Sequence, residues 1–140
     1  MSGMQRDEVE MVQIPTDRQI YEGEIATYWI DDQGILVSLS KSTRRTVANI
    51  SENVALVKRI TNNKRMPLLI YLSNSPVPDK ETQKFSREQL PNIYTAMAMI
   101  SEPGLAKFIM NLLFKFQSPP IPMKNFTDEE EAKEWLKQYL

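Results

Sequence analysis

The sequence predicts an α/β domain with a mixed, mostly parallel central sheet of about five strands and about four helices. Two largely apolar runs, Leu68 to Leu72 and Ile93 to Ile100, are typical of strands covered on both faces. Segments with a helical period of about 3.6 residues separate and follow these runs. An N-terminal hairpin followed by repeated βα units, with right-handed crossovers, places helices on the faces of the sheet.

The chain of 140 residues is the size of one domain. We expect residues 21–140 to form that single domain. Residues 1–20 are a polar lead, either weakly ordered or an extra strand, and its one apolar patch comprises Val9, Met11, Val12 and Ile14.

The first element is a predicted hairpin. Residues 25–30 and 35–39 alternate between the two faces of a strand, and Asp31-Asp32-Gln33-Gly34 between them has the composition of a turn. We expect Gly34 to adopt the left-handed conformation, since glycine does so without steric cost.

Helical spacing of Val47, Ile50, Val54 and Val57 predicts a helix over residues 47–61, ended by Asn62-Asn63 in the left-handed conformation. Pro67 opens the first doubly covered strand. A weaker helix is expected over residues 79–90, where Phe85 and Leu90 are the clear apolar anchors.

The next predicted helix, Leu105 to Phe116, is the most hydrophobic. Its core stripe would comprise Leu105, Phe108, Ile109, Leu112, Leu113 and Phe116. Met110 and Phe114 fall opposite this stripe. They are either covered by the N-terminal lead or the loop at residues 119–122, or they form a contact surface for a homodimer, a protein or a lipid.

Residues 119–140 read as an edge strand followed by an amphipathic final helix. Thr127 and Glu130 have the spacing of a capping box. The apolar stripe of this helix would comprise Ala132, Trp135, Leu136, Tyr139 and Leu140. Trp29 and Trp135 are both expected in the core.

Composition argues against most enzyme classes. The chain has no cysteine and no histidine, so it lacks thiolate nucleophiles, cysteine metal sites and the commonest general base. Its four glycines are too dispersed for a phosphate-binding loop, and the acidic run at residues 128–131 suits a helix N-terminus better than a metal site. We therefore expect no catalytic residue, no cofactor and no metal.

The net charge of −1 provides no global attraction for nucleic acid. The basic residues Lys41, Arg44, Arg45, Lys58, Arg59, Lys64 and Arg65 are read as a solvated face rather than a nucleic-acid site. No signal peptide or transmembrane run is visible, so the cytoplasm is the expected location.

Element order and three segments, KRMPLLIYLS, IYTAMAMISEPGLAKFIMNLLFKF and KNFTDEEEAKEWLKQYL, carry a family resemblance over about residues 24–140. The chain resembles small bacterial domains with the STAS fold, the group of anti-sigma-factor antagonists and sulfate-transporter tails. This group is sometimes described together with SEC14-like lipid-binding domains.

In kinase-regulated STAS antagonists, the loop after the strand that corresponds to Leu68 to Leu72 presents a phosphoacceptor serine. Those proteins read D-x-S and then D-S-S-G. Ser73 and Asp79 match this spacing, but Lys80 and Glu81 replace the two serines and Thr82 replaces the glycine. The resemblance thus implies that the usual acceptor is missing.

Two interpretations of this loop stay open. Ser73, Ser75, Asp79, Glu81 and Thr82 could form a partner surface on which Glu81 supplies a fixed charge. Alternatively, Asp79 caps the next helix and Glu81 stabilises its first turn.

Three hypotheses about function follow. The leading one is a non-catalytic protein-interaction module, for example in bacterial signalling, that binds an unknown protein partner or a second copy of itself. The alternative is a carrier of a lipid or other apolar small molecule, suggested by adaptable methionines such as Met97, Met99 and Met110. A hydrolase that uses Asp, Glu, Ser or Tyr ranks third, because no nucleophile has a recognisable base.

Overall fold

A computed structural model of the chain describes residues 12–115 and 118–140. Six strands form one sheet: β1 Tyr21–Glu22, β2 Ala26–Ile30, β3 Leu36–Ser40, β4 Met66–Tyr71, β5 Tyr94–Ile100 and β6 Met123–Phe126. Four α-helices accompany them: α1 Val47–Thr61, α2 Lys80–Ile93, α3 Pro103–Phe114 and α4 Glu129–Leu136, which continues into a 3₁₀ turn at Lys137–Tyr139. This is the predicted mixed α/β architecture, with the short strand β1 added at one edge.

The strands lie in the sheet in the order of the chain, from β1 to β6. Strands β1, β2 and β3 pair antiparallel, and β3 to β6 pair parallel. The two doubly covered strands β4 and β5 are neighbours near the middle, as their apolar composition predicts. Gly34 closes the hairpin with φ of 84°, which confirms its left-handed conformation.

Each face of the sheet has its own core. One face carries Tyr28, Ser38, Ile70, Met97 and other residues, which pack with side chains of α1, α2 and α3. The opposite face carries Trp29, Val37, Leu69, Ala96 and Ala98, which pack with Ala132 and Leu136 of α4. The first face therefore holds three helices and the second holds one.

Local signals at the helix ends explain most boundaries. Thr46 caps α1 and forms a capping box with Asn49, while Asn62 and Asn63, with φ of 58° and 63°, end this helix in the predicted left-handed conformation. Asp79 caps α2 by accepting from the backbone N–H of Thr82 at 2.8 Å. Helix α2 ends at Ile93, three residues beyond the predicted end at Leu90.

Two expectations for the final helix are wrong. The N-cap of α4 is Asp128, whose carboxylate accepts from the backbone N–H of Glu131, and not Thr127. Leu140 is 63% exposed and so lies outside the predicted stripe, whereas Tyr139 in the 3₁₀ turn still packs, partly buried, against the core on the α4 face. Trp29 is buried, and the Trp135 ring packs between Phe126 and Tyr139.

Residues 12–20 contain no helix or strand, but Val12 and Ile20 pack against the core on the α4 face. Val9 and Met11 of the predicted apolar patch lie outside the described residues, as does Phe116 of the third helix. Within the described ranges, no helix combines the length and hydrophobicity needed to span a membrane.

Candidate ligand-binding site

A cavity of about 260 Å³ lies between the sheet and helices α1, α2 and α3. Its floor is the sheet face that carries Tyr28, Ser38, Ile70, Met97 and Met123. Its walls are apolar residues of the three helices and the loop of residues 73–78. This loop joins β4 to α2, so the site lies at the carboxyl end of a parallel strand, where α/β sheets commonly bind ligands.

The orientation of α3 explains the cavity. The stripe predicted to enter the core lines this space, and only Leu105 and Ile109 of it also pack, partly buried, against the core in the described structure. Its members are Leu105, Phe108, Ile109, Leu112 and Leu113. All five side chains keep some exposure, and Phe108 is 51% exposed. The most hydrophobic helix of the chain thus turns its apolar face toward an open volume.

Four polar side chains stand on the cavity wall where β2, β3, β5 and α1 meet. The hydroxyls of Tyr28 and Tyr94 are 3.2 Å apart, and Asn53 Nδ2 donates to the Tyr28 hydroxyl at 2.8 Å. Ser38 lies opposite Tyr28 on the neighbouring strand and is 0% exposed. These residues are the polar cluster of the cavity.

Burial keeps both phenols neutral. It raises the pKa of Tyr28, against the opposing effects of the hydrogen bonds with Tyr94 and Asn53, of the nearby Ser38 hydroxyl and of the Arg45 charge. Burial also raises the pKa of Tyr94 well above its ordinary value. The pair is suited to hydrogen bonding and not to proton transfer near neutral pH.

Ser38 Oγ is the unusual member of the polar cluster. It lies close enough to Tyr28 to affect the tyrosine pKa, yet it has no well-formed hydrogen bond to any described residue. Ser73 Oγ, at the start of the 73–78 loop, is likewise buried without a partner in the described chain. Buried polar groups are normally paired, so two unpaired hydroxyls on one cavity wall call for an explanation.

Arg45 is the one charged residue among those that line the cavity in the described structure. Its terminal nitrogens donate to the carbonyls of Lys41, Thr43 and Ile25 and to the Ser40 hydroxyl. Burial lowers the pKa of Arg45, but guanidinium remains charged at any physiological pH. None of its partners is an anion, so this positive charge is not neutralised within the described protein.

The rim of the cavity is apolar and exposed. Val77 in the 73–78 loop is 49% exposed and Phe108 on α3 is 51% exposed. The exposed Arg44 donates to the carbonyl of Val77 at 3.1 Å and ties this loop to the segment before α1. The opening thus has an exposed hydrogen bond, from Arg44 to Val77, on one side and the Phe108 ring on the other.

The structure separates the residues predicted as a partner surface. Ser73 and Ser75 line the cavity at its 73–78 loop, and Asp79 and Glu81 occupy the cap and first turn of α2. Thr82 is only 3% exposed, so it is not part of an accessible surface.

Met110 and Phe114, for which a covered face and a contact surface were both open, lie on a covered side of α3. Phe114 is 6% exposed and Met110 packs partly buried against the core on the α1–α3 face, so the pair is not an exposed patch. The physical reason is the rotation of α3: because its larger stripe faces the cavity, the opposite side lies within the protein.

A second, more polar pocket of about 460 Å³ lies on the α4 face. Its charged groups satisfy one another: Lys133 Nζ lies 3.0 Å from Asp31 Oδ2, and the Tyr71 hydroxyl donates to Glu129. Asp31 Oδ1 also accepts from two backbone N–H groups of the hairpin turn. These contacts hold the turn and α4 together and pair the Asp31, Lys133, Tyr71 and Glu129 side chains with one another.

No cluster of three or more carboxylates that could hold a metal occurs in residues 12–115 and 118–140.

Comparison with known proteins places the chain in a family. A family model described as a domain of unknown function (DUF7793) matches residues 28–140. The chain belongs to this family. The DUF7793 match begins at Tyr28 and spans the whole polar cluster, Arg45 and the three helices that enclose the cavity. The comparison with curated proteins found no match.

A solved structure resembles this DUF7793 chain in fold. It is an uncharacterised protein of the DUF3478 family with a SpoIIAA-like fold from Shewanella loihica PV-4. The two share 14% sequence identity with a TM-score of 0.52, over 89% of this chain and 99% of the other. The predicted STAS-like fold is therefore confirmed, and at this identity the likeness extends to the fold alone.

Sequence reasoning about the DUF7793 chain missed Ser38 and the role of Arg45. Arg45 was grouped with the solvated basic residues, and no local pattern separates it from the exposed Arg44. Ser38 gave no signal, since it lies on the face of β3 opposite Ile35, Val37 and Leu39, where the alternation predicts polar residues. Met97 and Met99, noted as possible ligand contacts, do line the cavity.

Proposed function

We propose that this protein is a non-catalytic binding protein that holds an apolar small molecule in the cavity between the sheet and helices α1 to α3. One observation carries the proposal: the apolar stripe of α3 lines an open volume of about 260 Å³ between this helix and the sheet. Liquid water occupies about 30 Å³ per molecule, so the space has room for about nine groups of that size. Apolar cavities with a few polar groups are typical small-molecule sites.

The test is extraction of the purified protein followed by mass spectrometry. An apolar compound at about one equivalent per chain is expected. The variant Ser86→Phe introduces a ring into the cavity wall on α2 and should reduce the bound compound, while Ser51→Phe on the exposed side of α1 should leave it unchanged. Equal amounts of compound in both variants would argue against the cavity as its site.

A second candidate function is the interaction with a protein partner. It is favoured by two exposed apolar residues at the rim of the cavity, Val77 in the 73–78 loop and Phe108 on α3. In STAS antagonists, the loop that corresponds to residues 73–78 carries the phosphoacceptor. Ser75, Asp79 and Glu81 would belong to the same surface.

A pull-down with the purified chain separates the two candidates. Phe108→Ser should abolish capture of a rim-binding partner, and Leu140→Ser, which changes an equally exposed apolar residue elsewhere, should not. Capture that is insensitive to Phe108→Ser would exclude the rim as the docking surface.

A further inference from the structure

The polarity of the cavity changes along one direction. The polar groups at the floor are Tyr28 on β2, Ser38 and Ser40 on β3, and Arg45 in the segment after β3. Tyr94 begins β5, but its hydroxyl lies 3.2 Å from the Tyr28 hydroxyl and so belongs to the same polar end. The strands farther along contribute apolar residues: Leu68 and Ile70 on β4, Met97 and Met99 on β5, and Met123 on β6. Adjacent strands are about 4.8 Å apart, so from β3 to β6 the floor changes from polar to apolar over about 14 Å.

The charge of the site has one sign. Arg45 is the one ionised side chain on the described cavity wall, and its hydrogen-bond partners are neutral oxygens. A partly buried charge is costly unless it is paired, so an anion placed near Arg45 would be stabilised and a cation would be repelled.

The unpaired hydroxyl of Ser38 lies at the same end of the cavity as Arg45. Ser38 Oγ is fully buried on the polar part of the floor and has no hydrogen-bond partner in the described chain. Ser38 and Ser40 lie on the same side of β3, and Ser40 contacts the Arg45 guanidinium at 2.7 Å. A ligand oxygen at this place could accept from Ser38 and lie near the Arg45 charge.

We infer that the ligand is an amphiphilic carboxylic acid, with its carboxylate beside Ser38 and Arg45 and its hydrocarbon chain across β4, β5 and β6 beneath α3. This inference rests on the proposed function and adds the chemical class and the orientation. The cavity volume corresponds to a chain of about eight to ten carbons, taking a methylene group as similar in size to a water molecule.

The experiment compares three probes that share a ten-carbon chain: decanoic acid, 1-decanol and decylamine. Their affinities for the purified protein, stripped of any copurified compound, are measured by calorimetry at neutral pH. Decanoic acid should bind at least about tenfold more tightly than 1-decanol, because hydrogen bonds to a charged group contribute more than neutral ones. Decylamine should bind most weakly.

Two variants locate the carboxylate. Arg45→Gln should weaken the binding of decanoic acid by about tenfold and remove its higher affinity relative to 1-decanol. Arg59→Gln, the same change on the exposed side of α1, should leave both affinities unchanged. Ser38→Ala should weaken decanoic acid by roughly fivefold without disturbing the loop that Arg45 organises. If Arg45→Gln does not fold, Ser38→Ala and the three-probe comparison still test whether a carboxylate binds at this end of the cavity.

The outcomes separate this inference from the proposed function. Equal binding of decanoic acid and 1-decanol, or selectivity that survives both variants, would overturn the carboxylate assignment and leave an apolar site in place. Failure of all three probes to bind, together with no copurified compound, would overturn both.

Discussion

The clearest physical prediction concerns Ser38→Ala in the ligand-free protein. Ser38 Oγ is fully buried and has no hydrogen-bond partner in the described structure. Leaving a buried hydroxyl unpaired costs about 1–3 kcal/mol, and alanine removes the hydroxyl while it keeps the Cβ. Because the nearby Tyr28 offsets part of this cost, we expect Ser38→Ala to raise the free energy of unfolding by about 1 kcal/mol.

Ser40→Ala is the matched control, since Ser40 lies two residues away on the same side of β3. Its hydroxyl accepts a hydrogen bond from Arg45 at 2.7 Å. Removing it leaves a charged donor with one partner fewer and should lower the free energy of unfolding by about 1–2 kcal/mol. The same substitution should therefore change stability in opposite directions at the two positions.

The assay is urea unfolding followed by tryptophan fluorescence. Trp29 and Trp135 both belong to the core on the α4 face, opposite Ser38, so the probes do not sense the substitution directly. In a thermal melt of the same variants, a stabilisation of 1 kcal/mol corresponds to a rise of about 3 °C in Tm for a domain of this size. A loss of stability in Ser38→Ala comparable to that of Ser40→Ala would show that the Ser38 hydroxyl is engaged, and the unpaired-donor argument would fail.

Three further predictions concern the framework. Gly34→Ala should lower the free energy of unfolding by about 1–2 kcal/mol, because Gly34 has φ of 84°. Gly104→Ala in α3, where the added methyl meets no atom within 4 Å, should raise it by up to about 1 kcal/mol, and chemical denaturation measures both changes. Asp128→Ala should cost about 1 kcal/mol and Thr127→Ala close to nothing, and a larger loss for Thr127→Ala would contradict the assignment of the cap. Hydrogen bonds from the backbone N–H and the side chain of Thr82 hold the pKa of Asp79 below its ordinary value of 3.8. The stabilising contribution of Asp79 is therefore complete above pH 3.8 and is lost as the pH falls through the lowered pKa. Asp79→Asn should accordingly flatten the acid side of the stability curve measured by thermal melts, and an unchanged curve would count against the cap.

The sheet and the ends of the helices could be predicted because their signals are local. The apolar runs identified β4 and β5, and Asn62 with Asn63 marked the end of α1, since short polar residues tolerate the left-handed conformation. The order of the elements then left few possible topologies.

The site could not be predicted in the same way. Periodicity shows which side of α3 is apolar, but it does not show whether that side meets a sheet or an open volume; hence Phe108 was placed in the core and Phe114 outside it. Arg45 hydrogen bonds to the carbonyls of Ile25 and Thr43, which belong to two separate segments. These carbonyls come close together only in the folded chain, so the sequence around Arg45 does not reveal them.

The sequential order of the sheet bears on how the protein forms during synthesis. Each strand pairs with the one made just before it, so no strand must be inserted between two that are already joined. Each pair closes only the segment between two consecutive strands, which costs less entropy than pairing strands that are distant in the chain. The nascent chain can therefore extend its sheet one strand at a time as it leaves the ribosome, with β6 and α4 added last.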